Sequence, residues 1–382
     1  MRKTSTRILS AILAVMMLVG LVPLGLPSSA AFNDTSIRFD ENGEFTLIQI
    51  TDIQENTEVH ETTLALIAKA MNKYNPDMVV FTGDNVEAGM DQNEFKTAVD
   101  QFMVPIINAG VRNAVTFGNH DDEDKSIVNT AWDKQRQYNY FVGKSSLAID
   151  FDEPGLSGVG TGAIPIYSHD GSRVAFCVFP IDSGTYNSND DYDHVKTDQI
   201  NWYASESARL AQLNNGNPVP TLTFQHIPVP EIYSNLLVEV PNGTAGAVQG
   251  TGQWQNRYYG LDPNNSTITG VMQEGPCPAA INNGQYQGWR DVGNHVGAFF
   301  GHDHTNTFMG TDGNGITMGY CKAATLEAYH AADEDPALRV FTIKEDGTYT
   351  TQSVSYTQMQ VEDAEDYAHD DIAGPPPVPE VL

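Results

Sequence analysis

The chain is 382 residues long and carries 49 acidic against 20 basic side chains, a formal net charge of −29. It is 40% hydrophobic and 9% aromatic, enough to bury a full core, so composition argues against a disordered chain. The acidic excess would repel nucleic-acid backbones and anionic lipid, which makes nucleic-acid binding and a membrane-surface role poor fits.

Arg2, Lys3 and Arg7 begin the sequence, an apolar run follows from Ile8 to Leu26, and small residues close it at Ser28-Ser29-Ala30-Ala31. This three-part pattern is that of a secretory leader occupying residues 1–31, although an uncleaved N-terminal anchor would read similarly. Loss of the leader removes three basic and no acidic side chains, leaving −32 on a secreted or extracytoplasmic protein. No later stretch is apolar over the length a bilayer demands. Cys177, Cys277 and Cys321 make an odd count without a CxxC pair, which argues against a thiolate zinc site. Cys177 lies in the apolar run Val174–Phe179 and reads as a buried free thiol. Pairing of Cys277 with Cys321 stays open.

Residues 45–51 and 78–82 read as short buried strands, the first ending in Asp52 and the second in Gly83-Asp84. Between them Leu64, Ile67, Ala68 and Met71 mark one face of a helix that Pro76 stops. The pattern is a β-α-β unit, whose parallel strands connect right-handed. A second helix is expected near 93–107, then a strand at Ala114–Phe117. Further strands are expected at 163–168, 173–181, 220–225, 296–300, 306–310, 315–321 and 338–343, with helices near 125–140 and 196–213. Strands alternating with helices, then mostly strands, predict an α/β fold with a mixed sheet or two stacked sheets and helices outside. Residues 32–356 are read as a single domain. Within it, 241–288 is expected to be an irregular insertion rich in Gly, Asn and Gln, with scattered aromatics suited to a rim over a site. Residues 357–382 are expected to be an acidic, proline-rich flexible tail.

Polar residues that suit metals follow the apolar strands repeatedly: Thr51-Asp52-Ile53-Gln54, Gly83-Asp84-Asn85, Gly118-Asn119-His120-Asp121, Gln225-His226 and Gly301-His302-Asp303-His304. Taken singly, each is more often a turn or cap. Together, just past strand ends where open α/β sheets place their sites, they form an oxygen- and imidazole-rich set without thiolates. That is more than one zinc needs, and it suits two transition ions sharing a carboxylate, for which Asp84 is the natural candidate. Two such ions can hold the attacking and leaving oxygens of a phosphoryl displacement and lower the pKa of a coordinated water.

In this order the motifs resemble the calcineurin-like metallophosphoesterase superfamily. Phe224-Gln225-His226-Ile227-Pro228, Ile181-Asp182-Ser183-Gly184 and the run from Tyr192 to Gln199 are similar to its short, purple-acid-phosphatase-related branch. The resemblance covers about residues 44 to 345. It implies a four-layer α-β-β-α sandwich with two mixed central sheets and a dinuclear metal site at the C-terminal ends of the strands. Carried over by position, it puts Asp52, Gln54, Asp84 and His304 on one ion. Asp84 would bridge to a second, held also by Asn119, His226 and His302. His120 would face the phosphate and assist the leaving oxygen, and Asp121 could orient it or merely cap the loop. The family usually has histidine where this chain has Gln54, a weaker and harder donor that favours manganese or iron over zinc. Glu87 stands where purple acid phosphatases carry a tyrosine, so no purple chromophore is expected. The implied activity is hydrolysis of a small phosphate ester, as mono- or diester.

Overall fold

The computed structural model describes residues 36–121, 123, 132–329 and 335–360. The leader 1–31 therefore lies outside the described residues, as does the tail from residue 361. The chain runs β1 (Glu44–Ile50), α1 (Glu61–Tyr74), β2 (Met78–Thr82), α2 (Gln92–Phe102), α3 (Val104–Ala109) and β3 (Arg112–Thr116). After α4 (Lys134–Lys144) come β4 (Ile164–Tyr167), β5 (Val174–Ile181), α5 (Thr197–Leu213), β6 (Thr221–Gln225), α6 (Glu231–Leu236) and β7 (Leu237–Val240). Then follow β8 (Val248–Gln249), β9 (Tyr258–Leu261), α7 (Gln285–Val292), β10 (His295–Phe300), β11 (Met309–Thr311), β12 (Thr317–Tyr320), β13 (Ala337–Lys344) and β14 (Tyr349–Ser355).

Two mixed sheets carry the molecule. One has the order β14-β13-β1-β2-β3, the other β11-β12-β10-β6-β5-β4. In the first, β1, β2 and β3 are parallel; in the second, β5, β6, β10 and β12 are. Their inner faces meet over Phe45, Leu47, Met78, Val80, Phe176, Val178, Leu222, Phe224, Phe299 and Phe341. The outer face of the first sheet packs on Leu66, Ile67, Phe95, Phe102 and Phe141 from its helices. That of the second packs on Tyr203, Leu210, Ile232 and Trp289. This is the four-layer α-β-β-α sandwich. β5 reads as an unbroken apolar run because all eight of its residues are buried, as befits a strand covered on both faces.

Several boundaries differ from the sequence expectation, each for a local reason. Helix α1 buries Thr63, Leu66, Ile67, Ala70 and Met71, a face turned slightly from the predicted one, and ends at Asn75 in left-handed backbone. The single helix expected at 93–107 is two, since Pro105 opens α3 at its first turn. Helix α4 starts at Lys134, with Asp133 accepting from the Arg136 amide; the predicted start near 125 lies outside the described residues. β14 was not anticipated because its alternating sequence is mostly polar and only Val354 is buried. The 241–288 segment is less irregular than expected, holding β8, a short 3-10 turn and β9, which pairs with β7 and β8. Residues 356–360 are helical and Met359 is fully buried, so chain order extends past the predicted tail boundary at 357. All three cysteines are free, and Cys321 faces the Gln49 carbonyl at the end of β12 instead of Cys277.

Candidate metal centre

The C-terminal ends of β1, β2, β3, β6 and β10 converge on one edge of the sandwich. A strand leaving a sheet there must turn at once, and the backbone shows the cost. Asp52, Gln54, Asp84 and His302 have φ of 48°, 38°, 49° and 74°, four of the seven described non-glycine residues in the left-handed region. Each such residue costs on the order of 1–2 kcal/mol, a concentration typical of functional sites. The glycines of the motifs make room for this crowding. A Cβ on Gly118 would lie 2.2 Å from Asp84 Oδ1, and one on Gly301 would lie 2.0 Å from Thr51 Oγ1.

Asp84 sits at the centre. Its Oδ2 is 3.0 Å from His226 Nε2, and the Gln54 amide donates to it at 3.1 Å. Its Oδ1 accepts from the His120 backbone amide at 2.8 Å. Asp84, His226 and His302 bring ligand atoms within 4.8 Å of one another. Asp52 lies beside them, with Oδ1 3.4 Å from His304 Nε2 and 3.9 Å from His226 Nε2, and Oδ2 accepting from Thr51 Oγ1 and the His302 amide. These contacts link Asp52, Gln54, Asp84, His226, His302 and His304, six of the seven sequence-predicted metal residues.

The donor atoms are arranged for cations. The His226 Nδ1–H faces the Thr82 carbonyl at 3.0 Å, and the His304 Nδ1–H faces the Tyr329 carbonyl at 2.9 Å. A carbonyl only accepts, so in the neutral rings each Nε2 aims a lone pair at a carboxylate. Asn119 Nδ2 donates to the Tyr186 hydroxyl at 2.9 Å, which leaves Asn119 Oδ1 buried without a hydrogen-bond partner. Asp52 Oδ1 and His302 Nε2 are likewise buried and unpartnered. Buried acceptors facing each other without donors fit a metal site, since a cation satisfies all of them at once.

The titration behaviour has the same cause. Burial opposes charge on Asp84, yet His226 and the other histidines hold its carboxyl far below the usual range. Burial opposes charge on His226 and His304 too, but Asp84 and Asp52 for the first, and Asp52 for the second, push both up to about 9. His302 goes the other way, pushed down to about 3 by burial and by His226 beside it.

His120 lies at the rim, with its side chain about 35% exposed and Nε2 4.0 Å from Asp84 Oδ2. Burial lowers its pKa, but Asp84 and Glu123 outweigh that and keep it above the ordinary histidine value. The expectation that Asp121 orients His120 is corrected by the structure. His120 Nδ1 meets the Glu123 carboxylate, while Asp121 accepts from the backbone amides of Asp84, Asn85 and Gly118 at 2.8, 2.9 and 2.7 Å. Asp121 thus ties the β2 and β3 turns together, and burial with Asp84 nearby raises its pKa to about 6. Sequence adjacency suggested Asp121; the turn brings the residue three positions on from His120 onto the ring instead.

Two more groups were missed. Tyr192 packs edge-on against the His302 ring at 4.3 Å. Tyr329 lies flat on His304 at 3.9 Å with a 10° interplanar angle, and its hydroxyl donates to Glu274 Oε2 at 3.0 Å. Glu274 Oε1 accepts from the Thr305 amide and hydroxyl at 2.6 and 2.8 Å, so one carboxylate from the insertion clamps both sides of His304. No local pattern reports such a contact, because 55 residues separate Glu274 from Tyr329. At the ends of the acidic run 182–193, Asp182 pairs with Lys134, and Asp193 with Lys196 and His194.

A family model described as calcineurin-like phosphoesterase matches residues 45–306, which span every strand end of this site. The chain belongs to that family. The family typically binds divalent metals, and the Asp84, His226 and His302 group is one that could hold such an ion. The chain is 24% identical over 365 residues to "Probable inactive purple acid phosphatase 14" of Arabidopsis thaliana, covering 86% of this chain and 82% of that one. It is 26% identical over 350 residues to "Probable inactive purple acid phosphatase 29" of the same organism, covering 83% and 81%. It is also 24% identical over 219 residues to "Phosphatase DCR2" of Saccharomyces cerevisiae, covering 51% of this chain and 36% of that protein.

Proposed function

We propose that this calcineurin-like phosphoesterase is an exported, metal-dependent hydrolase of small phosphate esters working through two ions. The observation that supports the reading is the Asp84, His226 and His302 group at the strand ends, with Asn119 Oδ1, Asp52 Oδ1 and His302 Nε2 buried and unpartnered beside it, as a cation would require. Asp52, Gln54, Asp84 and His304 would hold one ion, and Asp84, Asn119, His226 and His302 the other. Manganese, iron or zinc at these positions would supply positive charge to the phosphoryl oxygens and an activated water. The chain's own contribution is orientation and one proton. Glu123 occupies His120 Nδ1, so Nε2 is the nitrogen left to face the substrate. Asp84 and Glu123 favour its protonated form, which lets it donate to the departing oxygen or neutralise charge there. The leader-like residues 1–31 support export.

The names of the Arabidopsis relatives favour a second reading, a metal- or phosphate-binding protein without turnover. One experiment separates the two. Purified protein loaded with manganese, zinc or iron is assayed on aryl phosphate and bis-aryl phosphate beside Asp84→Asn and His120→Ala. The hydrolase reading expects a fall of roughly a thousandfold for Asp84→Asn and roughly a hundredfold for His120→Ala. Wild type matching Asp84→Asn on both esters under every metal sinks it. The same assay reports whether mono- or diesters are preferred.

A further inference from the structure

We infer that an aromatic groove beside the Asn119–His302 side of the cage is the subsite for the substrate's alcohol portion. It selects phosphate esters of ring-bearing alcohols that are uncharged or cationic. The inference deepens the hydrolase reading and rests on it for what the groove would serve.

A cavity of about 600 Å³ is lined by Tyr186, Asp190, Asp191, Tyr192, Gln253 and Trp254, among others. Two of its lining side chains touch candidate metal residues. The Tyr186 hydroxyl accepts from Asn119 Nδ2 at 2.9 Å, and the Tyr192 ring touches His302 at 4.3 Å. Glu123, the partner of His120, also lies against the Tyr186 phenol. An ester whose phosphate sits at the cage therefore has its alcohol within reach of these rings.

The walls are preformed. Tyr186 and Tyr192 stack at 5.6 Å across a hairpin closed by Asn187 donating to Asp191 and Asp193 donating to Thr185. Trp254 stacks on Tyr233 at 4.2 Å and 10°, and the Ala280 amide donates to the Tyr192 carbonyl, joining the insertion to the hairpin. Little side-chain entropy remains to be lost when a flat group enters, and aromatic faces reward such a group. Charge narrows the choice further. Asp190 and Asp191 are exposed at the groove, and among the described residues lining it none is basic. A second anionic group on the ligand would meet repulsion there, and a cationic one attraction.

The test uses binding of unreactive phosphonates to the metal-loaded protein, followed by calorimetry, so that turnover is not required. Benzylphosphonate should bind about fivefold more tightly than butylphosphonate, and Trp254→Ala should bring the ratio towards one. 4-(Aminomethyl)benzylphosphonate should outbind 4-carboxybenzylphosphonate, a gap that Asp190→Asn with Asp191→Asn narrows. Thermal unfolding of each variant checks that the cage stays folded. Equal affinity for benzyl- and butylphosphonate in the wild type, or a ratio untouched by Trp254→Ala in a folded variant, overturns the inference. A retained benzyl preference in a protein that turns over no ester leaves the groove standing and removes the hydrolase reading alone.

Discussion

In the two-ion reading proposed above, Asn119, His226 and His302 join Asp84 on one ion, and Asp52, Gln54 and His304 join it on the other. The first three come from β3, β6 and β10, so both sheets contribute, and each is held by something other than a metal. Asn119 is fixed by Tyr186, His226 by the Thr82 carbonyl, and His302 by the rings of Tyr192 and His226. Their free atoms have no alternative partner. The second three are more compromised. Asp52 Oδ2 already accepts two hydrogen bonds, and Gln54 is half-buried with its amide engaged by Asp84. A half-turn of that amide presents a neutral oxygen at the same place, a weaker donor than imidazole. Under the proposed two-ion reading, the difference teaches that the Gln54 side is expected to hold its ion less tightly although its predicted residues are present.

The sharpest way to break this contrast is to remove one donor from each side and count ions. His302→Ala should lose the ion on its side and lower turnover by roughly a thousandfold, whereas Gln54→Ala should keep two ions and weaken one by about tenfold. Metal analysis after gel filtration reads both, and equal losses from the two variants would end the distinction. A smaller effect is expected from Glu274→Gln, which touches no ion. The amide oxygen can still accept from Thr305, but the amide nitrogen only donates, so the Tyr329 hydroxyl must turn from donor to acceptor and its brace on His304 weakens. Affinity for the ion on the Asp52 side should fall about tenfold with the other unchanged, as followed by metal titration. Weakening of both ions together would show that Glu274 supports the fold and not one ligand.

The smallest effect separates the cage from the core beneath it. Burial pushes His295, stacked on Trp289, down to about 3 from an ordinary 6.5. The unfolded chain then binds the extra proton between those values. Stability from this residue is full above pH 6.5 and declines as pH falls towards 3. His295→Gln should flatten the acid limb of Tm against pH by up to one proton's slope, relative to its own value at pH 8. An unchanged limb would assign acid sensitivity to the cage alone.

The strands were legible because each is a local pattern: β5 is apolar throughout, and β1 and β2 run straight into Asp52 and Asp84. The candidate ligands were legible for a related reason, since strand ends carry them in short, ordered motifs. β14 escaped because its polar alternation resembles a loop, and the order in 241–288 escaped because β8 and β9 are short and depend on β7 for pairing. The error at Asp121 is of a different kind. Adjacency in sequence suggested contact with His120, but a left-handed turn at Asp84 and the close approach of Gly118 put that carboxylate onto three backbone amides.

By itself, then, the sequence determined which chemistry is available: carboxylates, imidazoles and an amide after apolar strands, in an order shared with one phosphoesterase family. Tertiary structure decided which atoms face which. Glu123 rather than Asp121 meets His120, Glu274 braces His304 through Tyr329, and two tyrosines and Trp254 wall a groove from opposite segments. Motif chemistry repeats over a few residues and is readable locally. Facing is set by how two sheets pack and where their loops cross, contacts that span tens of residues and leave no periodic trace in the chain.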